Sequence, residues 1–306
     1  MYRQLRYNLT VLFLLLLVVV GGYQVRLAYI AQRTYHRQTG APTFPLLPPT
    51  QASRVSEDQL LWNNHPAFQA AVQAHHTPVL LAAFRIVLSD PIANESANAG
   101  LAMERLRGTV VAPGASFSIN QALGPYTAEN GYLPGPSFAA GELVITEGGG
   151  VCQIATLLYN LCVLSNLPII YRQPHTMLVP YVPPGRDAAV SYTAGLDFRF
   201  RNNTAAPLLI WGQRDGEALT MAFYGRTAPP QVVWRHQTLS YEPQTTDVRY
   251  NAQLPAGEER VVTEGSPGYV IRNWAEVTYD DQRVEIRQLG VSSYRMRPRI
   301  VERAAP

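Results

Sequence analysis

Cys152 follows three glycines, Gly148, Gly149 and Gly150, and opens a run in which Ile154, Leu157, Leu158 and Leu161 fall on one helical face. A cysteine in a first helical turn meets the positive end of the helix dipole, which favours thiolate. Glycines permit a tight turn and close backbone approach, and free N–H groups at a helix start suit an oxyanion. His175 comes after that helix, and Asp187 comes after the Pro183-Pro184-Gly185 turn. The expected layout is a nucleophile on a helix, a base on a strand and an acid on the neighbouring strand. Such a set suits acyl chemistry: a thiolate attacks a carbonyl, an imidazole moves the proton, and a carboxylate orients the imidazole. Gly149, Gly150, Gln153, Asn120 and Thr156 are the candidates for substrate contact.

This order resembles the Cys, His and Asp arrangement of papain-like and transglutaminase-like enzymes. A non-catalytic reading stands beside it, because most cysteines are inert packing groups. Cys162 is read that way. Ten residues along one helix place it about 15 Å from Cys152, beyond disulfide reach. His65, His75 and His76 lack the spacing of a zinc motif and sit in a polar stretch, so no metal or cofactor is expected.

The composition narrows the chemistry further. All 25 basic side chains are arginines, and the absence of lysine excludes Schiff-base and phosphate-loop lysines. A formal charge of +3 gives no electrostatic footprint for nucleic acid. With 15% charged and 47% hydrophobic residues, the chain is neither a disordered tail nor a coiled coil. Two cysteines make no disulfide scaffold.

From Tyr7 to Val25 no residue is charged. At about 1.5 Å per residue, such a helix crosses a hydrocarbon core of roughly 30 Å. Arg3 and Arg6 precede it, and Val20-Gly21-Gly22 makes a poor cleavage site, so residues 1–31 are expected to be an uncleaved signal anchor, with a cleaved signal as the alternative. Arg3, Arg6 and Arg26 precede residue 31 and no acid does, so the excess positive charge belongs to this segment. Residues 32–57, with Pro42, Pro45, Pro48 and Pro49, read as an extended stalk.

The remainder reads as an α+β domain over 58–226. Helices are expected near 58–76, over Ala97–Arg107 and from Cys152 to about Asn166. Strands are expected over Val79–Leu88, Thr109–Ala112, Ile169–Tyr171 and Met177–Val182. A hairpin is expected where Pro207–Trp211 and Ala218–Tyr224 flank Asp215-Gly216. Residues 227–250, rich in Pro, Thr and Gln, read as a linker. Residues 251–306 read as a small elongated all-β module, with strands at Arg260–Glu264, Tyr269–Tyr279 and Arg283–Leu289.

The stretch Gly148-Gly149-Gly150-Val151-Cys152-Gln153-Ile154-Ala155-Thr156-Leu157 resembles the signature of the VanW family, named from vancomycin-resistance clusters. Pro113-Gly114-Ala115-Ser116-Phe117-Ser118-Ile119-Asn120, then Gly124-Pro125-Tyr126-Thr127, then His175 with Tyr181-Val182-Pro183-Pro184-Gly185-Arg186-Asp187-Ala188, agree in order. Gly257, Gly265, Gly268 and Gly290 resemble the G-five extracellular module, though the usual final glycine is missing. The resemblance implies a bacterial envelope protein, anchored once in the cell membrane with its bulk extracytoplasmic. It also implies a partner in peptidoglycan or another cell-wall glycan or peptide. The function expected first is binding or remodelling of peptidoglycan. The resemblance supplies no reaction; the alternative, cysteine-dependent amide hydrolysis or acyl transfer on wall peptides, comes from the Cys152, His175 and Asp187 set itself.

Overall fold

The computed structural model describes residues 50–88, 94–139 and 142–304. The segment expected as an anchor and most of that expected as a stalk lie outside the described residues. Among the described residues no helix is long and apolar enough to cross a membrane.

Strand β1 (Ser53–Arg54) lies beside β2 (Val79–Val87), so the last stalk residues belong to the folded domain. Val55 is buried behind them. Helix α1 (Pro66–His75) precedes β2, and α2 (Glu95–Leu106) and β3 (Val110–Val111) follow it. Next come β4 (Ser116–Ser118), the short α3 (Ile119–Leu123), and the hairpin β5 (Pro134–Ala139) with β6 (Glu142–Glu147). Helix α4 (Val151–Leu164) is followed by β7 (Ile169–Tyr171), β8 (Arg199–Arg201), β9 (Leu208–Asp215) and β10 (Ala218–Gly225). The expected hairpin is therefore present, turning through Gly216 at φ +57°.

These elements form a five-stranded antiparallel sheet in the order β1-β2-β10-β9-β3. Alternation along β10 sends Leu219, Met221 and Phe223 into the core that holds α2 and α4. Ala222 and Tyr224 face the other way, onto Trp62 and Phe68. Helix α4 is buried almost all round, which fits its lack of charged residues. A small sheet, β4-β8-β7, stands beside it.

Met177–Val182, expected as a strand, is irregular. Met177, Val179, Tyr181 and Val182 are buried, but the chain finds no ladder partner there. The stretch expected as a linker is also ordered. It carries β11 (Gln231–Glu242) and β12 (Thr246–Asn251). Strands β13 (Glu259–Thr263), β14 (Gly268–Thr278), β15 (Val284–Tyr294) and β16 (Arg299–Ala304) complete the all-β part. Its two sheets run β11-β14-β15 and β12-β16-β13, with β12 parallel to β16.

The described residues make one compact unit. Val232 and Trp234 of β11 and Ala275 and Val277 of β14 join the core of the helical part. Tyr159 of α4 meets Trp234 edge-on, with ring centroids 5.3 Å apart at 86°.

Candidate active site

Three glycines shape the turn that aims Cys152. Gly150 caps α4 at φ +112°, a conformation that side-chain-bearing residues rarely adopt. A Cβ there would lie 2.5 Å from the carbonyl oxygen of Glu95, and one on Gly149 would lie 2.2 Å from the backbone of Gly135. Asn98 of α2 holds the turn by donating to the carbonyl of Gly149 at 2.8 Å. Cys152, half-buried, thus stands in the first turn of α4.

A single antiparallel bridge between Gln173 and Ala189 sets the arm carrying His175 against the arm carrying Asp187. Neither residue lies in a strand. Nδ1 of His175 sits 2.7 Å from Oδ2 of Asp187, and the His175 N–H donates to the same oxygen at 2.6 Å. The side chains of Cys152 and His175 lie within hydrogen-bonding reach of each other. The Val190 N–H donates to Sγ at 3.4 Å. The structure thus brings Cys152, His175 and Asp187 into one chain of contacts.

The electrostatics follow from that chain. Burial works against a charged thiolate, but the hydrogen bond and charge of His175, with the Val190 N–H, outweigh it. The thiol sits below its ordinary value. Burial also opposes a charged His175, yet Asp187 and Cys152 raise the imidazole to about 10. For Asp187 burial is again opposed, and His175 and Arg172 hold the carboxyl well below the usual carboxylate range. These shifts run in the direction of a thiolate–imidazolium pair beside an ionised carboxylate. Cys162 is fully buried, and burial pushes its thiol well up.

The expected substrate contacts divide differently. Gly149 and Gly150 spend their missing side chains on Gly135 and Glu95. Gln153 is buried and donates to the Glu95 carboxylate. Thr156 is buried, and its hydroxyl accepts the N–H of Ala188 at 3.0 Å. These four shape and brace the site. Asn120 is half-buried, accepting from the Tyr126 hydroxyl at 2.6 Å and donating to the carbonyl of Leu196 at 2.8 Å. Burial, and to a lesser degree the charge of Cys152, pushes the Tyr126 phenol far up.

Sequence reasoning missed Arg172, Tyr126 and Tyr294. The Arg172 side chain donates to Oδ1 of Asp187 at 3.0 Å and to the Asp187 carbonyl at 2.7 Å. Its position three residues before His175 is the one local signal available for it.

Residues 94–224 match the family described as VanW like protein, and residues 235–303 match the G5 domain. The chain carries a VanW domain followed by a G5 domain. The VanW match holds Cys152, His175 and Asp187, and the G5 match begins within β11. The chain is 36% identical over 162 residues to the uncharacterized protein YoaR of Bacillus subtilis, covering 53% of each chain. It is 30% identical over 131 residues to the vancomycin B-type resistance protein VanW of Enterococcus faecalis, covering 41% of this chain and 47% of that one. The chain thus spans about half the length of these curated relatives. An IgA1 protease G5 domain structure matches at 23% identity, covering 25% of this chain and 92% of that one, with a TM-score of 0.17.

Proposed function

We propose that this chain is a cysteine-dependent amide hydrolase or acyl transferase of the bacterial cell envelope, acting on cell-wall peptides. The Cys152–His175–Asp187 relay carries the reading, because its electrostatics favour the reactive thiolate. In the first step Sγ of Cys152 attacks an amide carbonyl carbon. The C–S bond forms, the C–N bond breaks, and the imidazolium of His175 gives its proton to the leaving amine. The thioester is then opened by water, or by a second amine in the transfer reaction. The proton of that nucleophile returns to His175 and the thiolate is restored. Asp187 keeps the imidazole in the required orientation throughout. The 30% identity to a vancomycin B-type resistance protein supports a wall-peptide substrate, and the G5 domain supports retention at wall glycan or peptide. The apolar segment at Tyr7–Val25 supports a single membrane anchor with the domains outside.

Alkylation of the purified protein across pH tests this reading, with Cys152→Ala as control. Cys152 is expected to react well below pH 8. A Cys152 that reacts only above about pH 8, or only after unfolding, overturns the catalytic reading. Peptidoglycan pull-down tests wall retention separately, and the Cys152→Ala protein is expected to bind as the wild type does.

A further inference from the structure

Asp187 is held by two parts of the chain that are far apart in sequence. Oδ2 belongs to His175. Oδ1 takes the Arg172 guanidinium at 3.0 Å and the hydroxyl of Tyr294 at 2.5 Å. Tyr294 is the last residue of β15, within the G5 domain, and it is buried. Its hydroxyl also accepts the N–H of Gly185 at 2.6 Å, so both of its roles are filled and its direction is fixed.

Two residues earlier on the same face of β15, Ser292 accepts the other Arg172 nitrogen at 2.9 Å. Ser292 is 1% exposed, so this contact is made inside the protein. Just past the strand, the Arg295 N–H donates to the carbonyl of Thr176 at 2.8 Å, one residue from His175. The C-terminal strand thus grips the His175 arm, the guanidinium and the carboxylate together.

We infer that the G5 domain completes the catalytic site, with Tyr294 and Ser292 as positioning residues that act on His175 and Cys152 through Asp187 and Arg172. The inference rests on the acyl-transfer reading. A carboxylate accepts at two oxygens, and rotation about its last bond exchanges them. Fixing Oδ1 with two donors stops that rotation and aims Oδ2 at the imidazole. Without Tyr294 the hold on His175 loosens, the imidazolium is less favoured, and the thiol climbs toward its ordinary value.

The test uses the full chain. Tyr294→Phe keeps the ring packing, and Ser292→Ala is a milder second variant. Alkylation of Cys152 is followed across pH in the wild type and both variants. The titration midpoint is expected to rise in Tyr294→Phe, and to rise less in Ser292→Ala. Below both midpoints the rate falls roughly tenfold for each unit of rise. In a second readout, the His175 ring is titrated by NMR in Cys152→Ala and in Cys152→Ala/Tyr294→Phe, and its midpoint is expected to drop in the double variant. A His175 midpoint that stays put or rises overturns the positioning role, whatever the thiol does. An ordinary thiol in the wild type, with a His175 midpoint that does drop, overturns the acyl-transfer reading and leaves the positioning role standing.

Discussion

The hydroxyl of Thr156, one turn along α4 from Cys152, accepts the N–H of Ala188, the residue after Asp187, at 3.0 Å. This bond, together with Asn160 donating to the carbonyl of Arg186 at 2.8 Å and the Val190 N–H donating to Sγ of Cys152, fixes the arm carrying the acid to the helix carrying the nucleophile. Thr156→Val keeps the shape and removes the acceptor, leaving a buried N–H unpaired. A loss of about 1–3 kcal/mol is expected, read as a lower denaturant midpoint at unchanged slope. A midpoint within error of the wild type would show that the bond fixes nothing.

Asp187 is the charge that the buried Arg172 answers, with side-chain exposures of 1% and 8%. Asp187→Asn leaves that guanidinium without its counter-ion, and a cost of about 3–5 kcal/mol is expected near neutral pH. The pH dependence carries a sign. The folded carboxyl lies below its unfolded value, so its contribution is complete above the unfolded value of about 3.9 and is lost as pH falls below it. The stability difference between wild type and Asp187→Asn is expected to be largest near about pH 5–6 and to shrink toward lower pH as the carboxyl takes up its proton. It is also expected to shrink as pH rises from about 6.5, because Asp187 raises the folded His175 to about 10 and that proton is lost on the alkaline side. A difference that grows as pH falls below about 4 contradicts this.

The local parts of the site were legible because each carries its own sequence signal. Three glycines before an apolar helical stripe announced α4, and Asp215-Gly216 announced the turn between β9 and β10. The order Cys152, His175, Asp187 was legible as chemistry. Its backbone was not, because Met177–Val182 has strand-like composition but is buried without pairing. The stretch 227–250 looked like a linker because most positions of β11 and β12 face water and are polar. Tyr294 lies 107 residues from Asp187, and no periodicity connects two residues whose contact exists only after two sheets and a helix have packed. Gln153 and Thr156 looked like substrate contacts because they neighbour the nucleophile. The helical period instead turns both inward.

The two cysteines differ in environment, and the difference predicts a stoichiometry. Cys162 is fully buried on the inner side of α4, and burial pushes its thiol well above the ordinary value. Native protein treated with excess iodoacetamide at neutral pH is expected to take up one label, all of it on Cys152. The second label enters only in denaturant. Mass spectrometry showing native modification of Cys162 would mean that α4 opens far more readily than its packing implies.

The glycines before Cys152 allow close approach to be separated from backbone conformation. Gly114 has φ +74° and nothing within 4 Å of an added Cβ, so Gly114→Ala is expected to cost about 1–2 kcal/mol through conformation alone. Gly149 lies outside the positive-φ group, but its added Cβ would meet the backbone of Gly135 at 2.2 Å. Backbone atoms on both sides leave no flexible side chain to yield. Gly149→Ala must therefore push the β5–β6 hairpin away from the start of α4 and disturb the turn that aims Cys152. A cost of at least about 3 kcal/mol is expected, together with slower alkylation of Cys152 at pH 6. Gly114→Ala, whose added Cβ meets no neighbour, should leave that rate unchanged. If the two variants lose equal stability and Cys152 reacts alike in both, close approach at Gly149 does not set the geometry of the nucleophile.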